Sequence, residues 1–179
     1  MRLLILTATA LLVGAVAVST VPHPDAPPPA HTGGFGEKTC VDCHVDGGPF
    51  NGARSLEFRA EGPWRPKRES PIQLILRSTG MVRSGFQLSI RHPDGTQAGT
   101  FSAPDDRVQV IEMDGIQYAS HSGSGSWAVG DSATWDLRWT APPDGDSLLV
   151  HVAANAGGGD NSPLGDSVFV RTFTLTRLR

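Results

Sequence analysis

The chain has 179 residues, enough for one domain of ordinary size together with an export segment and a linker, and two domains are not expected. Charged residues make up 18% and the formal net charge is -3, so the dense positive surface that a phosphate backbone requires is missing and nucleic acid is excluded as a partner. The 21 glycines and 14 prolines suit a turn-rich β protein and would serve long helices poorly.

A single Arg2 precedes an apolar run from Leu3 to Val18, and Ala15-Val16-Ala17 offers the small-residue pattern that a signal peptidase reads. Residues 1–20 are therefore expected to be a signal peptide or, if uncleaved, an N-terminal membrane anchor. Either places the remainder outside the cytoplasm, in the periplasm or at the cell surface. Residues 21–32 follow, with Pro22, Pro24, Pro27, Pro28 and Pro29 among them, too proline-rich for helix or sheet and too polar to bury. They read as a semi-rigid linker that would tether the domain if the anchor is kept.

Residues 33–52 carry the first chemistry. Gly33, Gly34 and Gly36 lead into Thr39-Cys40-Val41-Asp42-Cys43-His44, in which the only two cysteines stand three apart with a histidine directly after. This is the spacing of a c-type haem attachment site. Two thiols so close can each add to one vinyl group of the same porphyrin, and the imidazole of His44 then lies where it can bind the iron. Other uses of the pair compete. In an oxidising compartment Cys40 and Cys43 can form a plain disulfide. A thioredoxin-like pair wants a strand-turn-helix setting, and Gly47-Gly48-Pro49 follows instead. A structural zinc site wants four ligands, and no second cysteine pair exists.

From about residue 53 apolar residues recur with the period of strands: Leu56, Phe58 and Ala60; Ile72, Leu74 and Leu76; Phe86, Leu88 and Ile90; Val108 and Val110; Trp135, Leu137 and Trp139; Leu148, Val150 and Val152; Val168, Val170, Phe173 and Leu175. Turn signals divide them at Pro93-Asp94-Gly95, Asp114-Gly115, Gly123 to Gly125, Pro142 to Gly145 and Gly157 to Asn161. Residues 53–179 are thus expected to form an all-β, immunoglobulin-like β-sandwich of 7–9 strands, estimated from that spacing, with Trp135 and Trp139 as packing residues.

Several segments resemble the reelin-like (Reeler) or choice-of-anchor V domains of exported bacterial proteins. They are Gly34 through His44, Tyr118-Ala119-Ser120-His121-Ser122, Trp135 through Pro142, Val150 through Ala156 and Asn161 through Val168. The resemblance implies an exported β-sandwich with an N-terminal haem-attachment-like motif, and says more about fold than about activity. Such domains often continue into a sorting segment or further domains, while this sequence ends at Arg179. The resemblance also nominates His121 as the second iron ligand, at the end of a short apolar stretch and before a Ser/Gly-rich loop. His92, His151, Met81 and Met113 are its rivals, and His23 and His31 fall in the linker.

The carboxylates offer no acid-base pair. Asp105, Asp106, Asp144 and Asp146 belong to turns, and Asp160, Asn161 and Asp166 read either as a turn or as hard-oxygen ligands for calcium. No phosphate loop or Ser-His-Asp pattern appears, so the chain is not expected to be an enzyme. The leading expectation is an exported monohaem electron carrier with covalent haem c, held by Cys40, Cys43 and His44, with His44 and His121 on the iron and redox proteins of the cell envelope as partners. The alternative is a non-redox extracellular binding or adhesion module with a Cys40–Cys43 disulfide. A five-coordinate haem sensor or peroxidase-like site applies if His121 points away from the iron.

Overall fold

The computed structural model describes residues 25–45 and 54–179. The expected export segment over 1–20, His23, and residues 46–52 of the attachment segment lie outside the described residues. Among those described, no helix is long and apolar enough to cross a membrane.

Nine strands make up the body of the described chain: β1 (Arg54–Ala60), β2 (Glu69–Ser78), β3 (Arg83–Arg91), β4 (Thr100–Ser102), β5 (Val108–Met113), β6 (Ile116–His121), β7 (Ser132–Thr140), β8 (Ser147–Gly157) and β9 (Ser167–Thr176). They form two antiparallel sheets, one in the order β1-β2-β7-β4 and the other β5-β6-β3-β8-β9. This is the all-β sandwich that the alternation of apolar residues predicts. The Asp114-Gly115 signal becomes a two-residue hairpin, with Met113 paired to Ile116 and both turn residues at positive φ (52° and 75°), the conformation that Asp-Gly tolerates best.

Between the sheets lie Ile72, Leu74 and Leu76 of β2, Phe86, Leu88 and Ile90 of β3, Trp135, Leu137 and Trp139 of β7, and Leu148, Val150 and Val152 of β8. Trp135 and Trp139 are core residues, as expected. Each indole also finds an acceptor, the Gly125 carbonyl at 2.8 Å and the Ala98 carbonyl at 3.0 Å, so neither N–H is buried unpaired. Phe86 tilts against Trp135 with ring centroids 4.7 Å apart, which ties β3 to β7 across the interior.

Strand β9 departs from the expected pattern. Phe169 and Leu175 face the core with Phe173 packed at its edge, whereas Val168 and Val170 sit on the opposite face. Residues 33–45 lie against part of that face: the side chains of Val170, still 39% exposed, and Thr39 both crowd Gly33.

The outer face of the five-stranded sheet is covered in the same way. Gln87, Ser89 and Arg91 of β3 and Ser120 of β6 are buried although they point away from the core. The covering layer is the stretch from Asp25 to Val45, whose first part the sequence reads as a linker. It lies against the sheet: Gln87 donates from Nε2 to the Pro28 carbonyl (2.9 Å) and accepts at Oε1 from the His31 N–H (2.6 Å), while Gln109 donates to the Asp25 carbonyl (2.8 Å). Gly34 is pressed so closely onto His151 that a Cβ there would come within 2.3 Å of the imidazole. Replacing Gln87 by Leu strands the His31 N–H and the Pro28 carbonyl. The expected cost is about 1–3 kcal/mol, read as a lower urea midpoint at unchanged slope.

Candidate functional site

Residues Thr39 to Val45 fold as one tight turn. Cys40–Asp42 form a single 3-10 turn capped reciprocally: the Thr39 hydroxyl accepts from Val41 N–H (3.3 Å), and Asp42 accepts from Thr39 N–H (2.9 Å). Cys43 and His44 both donate their N–H to the Cys40 carbonyl, at 3.2 and 2.8 Å. The backbone thus curls around Cys40 and brings both thiols and the imidazole into one turn. Val45 then anchors the turn to the β8–β9 loop, donating to the Pro163 carbonyl (3.0 Å) and accepting from Gly165 N–H (3.1 Å).

The turn closes one side of a cavity of about 320 Å³. Cys40, Cys43, His44 and His121 all line it, and so does His31. The remaining walls are β3 at Arg83 to Phe86, β8 at Asn155 and Gly157, the β8–β9 loop, and the prolines Pro27 and Pro28. The volume falls at the lower end of the range for small-molecule and cofactor sites, about 300–1,000 Å³. Of the rival ligands, His92 lies beside Asp144 and Gly145, His151 is packed under Gly34 and Phe35, Met81 belongs to the core, and Met113 flanks the β5–β6 turn. None of the four lines the cavity.

His44 is held by partners that its sequence neighbourhood does not announce. Its Nδ1 lies 2.6 Å from Oδ2 of Asp166, a buried carboxylate that also accepts from Asn155 Nδ2 at 3.0 Å. The carboxylate accepts, so the ring proton sits on Nδ1 and Nε2 keeps its lone pair, the tautomer a metal-binding imidazole needs. Of the supposed calcium set of Asp160, Asn161 and Asp166, Asp160 caps the N–H of Ser162 at 3.0 Å, while Asp166 turns inward to His44.

Both cysteines are free. Burial pushes the Cys40 thiol up to about 12, and the nearby Cys43 and Asp42 add to it. In the folded chain burial therefore disfavours the Cys40 thiolate.

The donor set, two thiols and an imidazole of fixed tautomer around a cavity with further imidazoles on its walls, fits a covalently held haem. A comparison of the chain with protein-family models finds no match, and one with curated proteins finds none either.

Proposed function

We propose that this chain is an exported monohaem c-type electron carrier, with Cys40 and Cys43 as the attachment thiols and His44 as the first axial ligand. The observation that carries this reading is the union, on one cavity wall, of the two thiols with an imidazole whose Nδ1–H is taken by Asp166. When bound there, haem supplies a one-electron iron couple.

The chain's own residues do the rest. Asp166, itself held by the Asn155 amide, orients His44 and fixes its tautomer. A second imidazole on the cavity wall, His121 or His31, would hold the iron from the other side, and a haem so held would favour electron transfer over gas binding or catalysis. The walls formed by Phe86, Pro27 and Pro28 limit water, and Gly85, Gly157 and Gly159 keep side chains out of the space. Val41, Val45 and Leu164 stand exposed beside the motif, and this supports contact there with a redox partner of the cell envelope. The Reeler-like segments and the apolar N-terminus support export.

The test is expression with the export segment in a host that carries haem c maturation, followed by haem staining of a denaturing gel and a reduced-minus-oxidised spectrum. A stained band with a low-spin spectrum is expected. No stain, with a control cytochrome matured normally, replaces the reading by the extracellular binding module with a Cys40–Cys43 disulfide.

A finer prediction concerns Asp166. A carboxylate accepting from an axial imidazole makes that ligand more basic and stabilises the oxidised iron. Asp166→Asn is expected to retain the stained haem and to raise the midpoint potential, measured by spectroelectrochemical titration.

A further inference from the structure

The attachment motif supplies one imidazole, and two more histidines line the cavity, His31 and His121. Hydrogen-bond chemistry separates them. An imidazole that offers Nε2 to a metal carries its proton on Nδ1, where it needs an acceptor. Backbone groups settle where ring protons are, because a carbonyl can only accept and an amide N–H can only donate.

His31 Nδ1 lies 2.9 Å from the Pro29 carbonyl. The proton is therefore on Nδ1, Nε2 carries the lone pair, and Nε2 has no partner among the described residues. This repeats the arrangement of His44, with a carbonyl in place of the Asp166 carboxylate. His121 has the opposite arrangement. The Phe86 N–H donates to its Nδ1 at 3.0 Å, and the Phe86 carbonyl is farther away at 3.3 Å. In the neutral ring the proton is then on Nε2, the nitrogen that would have to give its lone pair.

The packing agrees. The His121 ring lies over Gly85 so closely that a Cβ there would come within 2.5 Å of Cε1, so the ring is wedged against β3. His31 is held from its backbone: its N–H is fixed by the buried Gln87, which also holds Pro28. The imidazole is thereby presented at the cavity wall by a stiff proline segment.

We propose that His31, and not His121, is the second axial ligand of the bound haem, and that His121 is a wall residue fixed by the Phe86 backbone. This rests on the haem-carrier reading above.

The experiment compares the full haem-loaded chain with His31→Ala and His121→Ala by visible spectroscopy and haem staining. The expected result is a low-spin spectrum for the parent and for His121→Ala. His31→Ala should convert to high-spin and return to low-spin on adding imidazole. Low-spin His31→Ala overturns the proposal, whatever His121→Ala does, and so does a stained parent that is already high-spin. A parent without stain removes the haem reading itself, and the gel tells that failure apart from the others. A measurement free of haem stands beside these. Long-range nitrogen-proton correlation spectra of the apoprotein are expected to show the Nδ1–H tautomer for His31 and the Nε2–H tautomer for His121, and the reverse assignment overturns the proposal.

Discussion

The double variant Cys40→Ser, Cys43→Ser is expected to lose every trace of haem that survives denaturation while keeping a folded sandwich. The two halves of this expectation have separate physical grounds. Retention on a denaturing gel requires a bond that outlasts the fold, and among the described residues only these two thiols line the cavity and can form a thioether. Each single serine variant leaves one such bond, so it should still stain. His44→Ala removes a coordinating nitrogen and no covalent attachment. It should stain fully, lose the low-spin spectrum and show that attachment and ligation are separate functions of neighbouring residues.

The fold should not notice the double substitution. Cys43 is exposed, neither cysteine belongs to the apolar core, and the turn around them is held by backbone bonds to the Cys40 carbonyl and by the Thr39–Asp42 cap. With Cys40 half-buried and Cys43 exposed, the expected stability change is about 1 kcal/mol at most. A large loss in the urea midpoint would instead mean that Cys40 and Cys43 hold the fold together, as the disulfide reading requires.

Much of the scaffold is legible in the chain because alternation is a local signal. Leu74, Phe86, Trp135 and Val150 each belong to a run of period two, and the sandwich follows once such runs have to bury one face. Alternation does not say whether the other face is wet. Gln87, Ser89 and Arg91 look like a solvated face, yet they lie beneath residues 25–45, and no periodicity in that proline-rich stretch announces that it docks. The buried polar row on β3 is the imprint of that layer. Strand β4 is three residues long, too short to show a period.

The site divides along the same line. Cys40, Cys43 and His44 are contiguous and their spacing carries their chemistry, so the motif can be read directly. Asp166 is separated from His44 by 122 positions, and inspection of the loop alone makes it a turn residue or a calcium ligand. His31 reads as a passenger in a linker because its two restraints, the Pro29 carbonyl and Gln87, exist only once the chain is folded.

The covering layer has one strong anchor, and removing it should have the largest effect on stability of any change outside the core. Glu37, three residues before the motif, pairs with Arg91 on the outer face of β3, and both side chains are nearly inaccessible, at 9% and 6% exposure. Tyr118 completes the cluster, donating to Glu37 at 2.7 Å and accepting from Arg91 at 2.8 Å, and Thr32 donates to the other carboxylate oxygen. Burial by itself would raise the Glu37 pKa. The bonds from Thr32, Tyr118 and Arg91, with the Arg91 charge, outweigh it and hold the carboxyl below its ordinary value of 4.5. Burial and the adjoining carboxylate push the Tyr118 hydroxyl up to about 12, so it remains a donor throughout. Glu37→Ala leaves the Arg91 charge buried without its partner, and the expected cost is about 3–5 kcal/mol in urea unfolding at neutral pH. Replacing both members, as Glu37→Leu with Arg91→Met, should cost clearly less, because no charge is then stranded. The pH dependence follows from the direction of the shift. A carboxyl with a depressed folded pKa stabilises fully above its unfolded pKa, near 4.5, and that contribution fades as pH falls through the folded value. His151 beneath Gly34 and His121 in the cavity both have lowered pKa values, chiefly through burial. Parent and Glu37→Ala alike should therefore lose stability as pH falls below about 6.5, the ordinary histidine value. The gap between the two proteins reports Glu37 together with its charge on His151, whose pKa it raises, so it should widen slightly as that histidine titrates below about 6.5. It should then narrow below about 4.5, as Glu37 itself is protonated. A gap that persists undiminished at pH 3 would mean that the lost stability comes from packing around Glu37 and not from its charge.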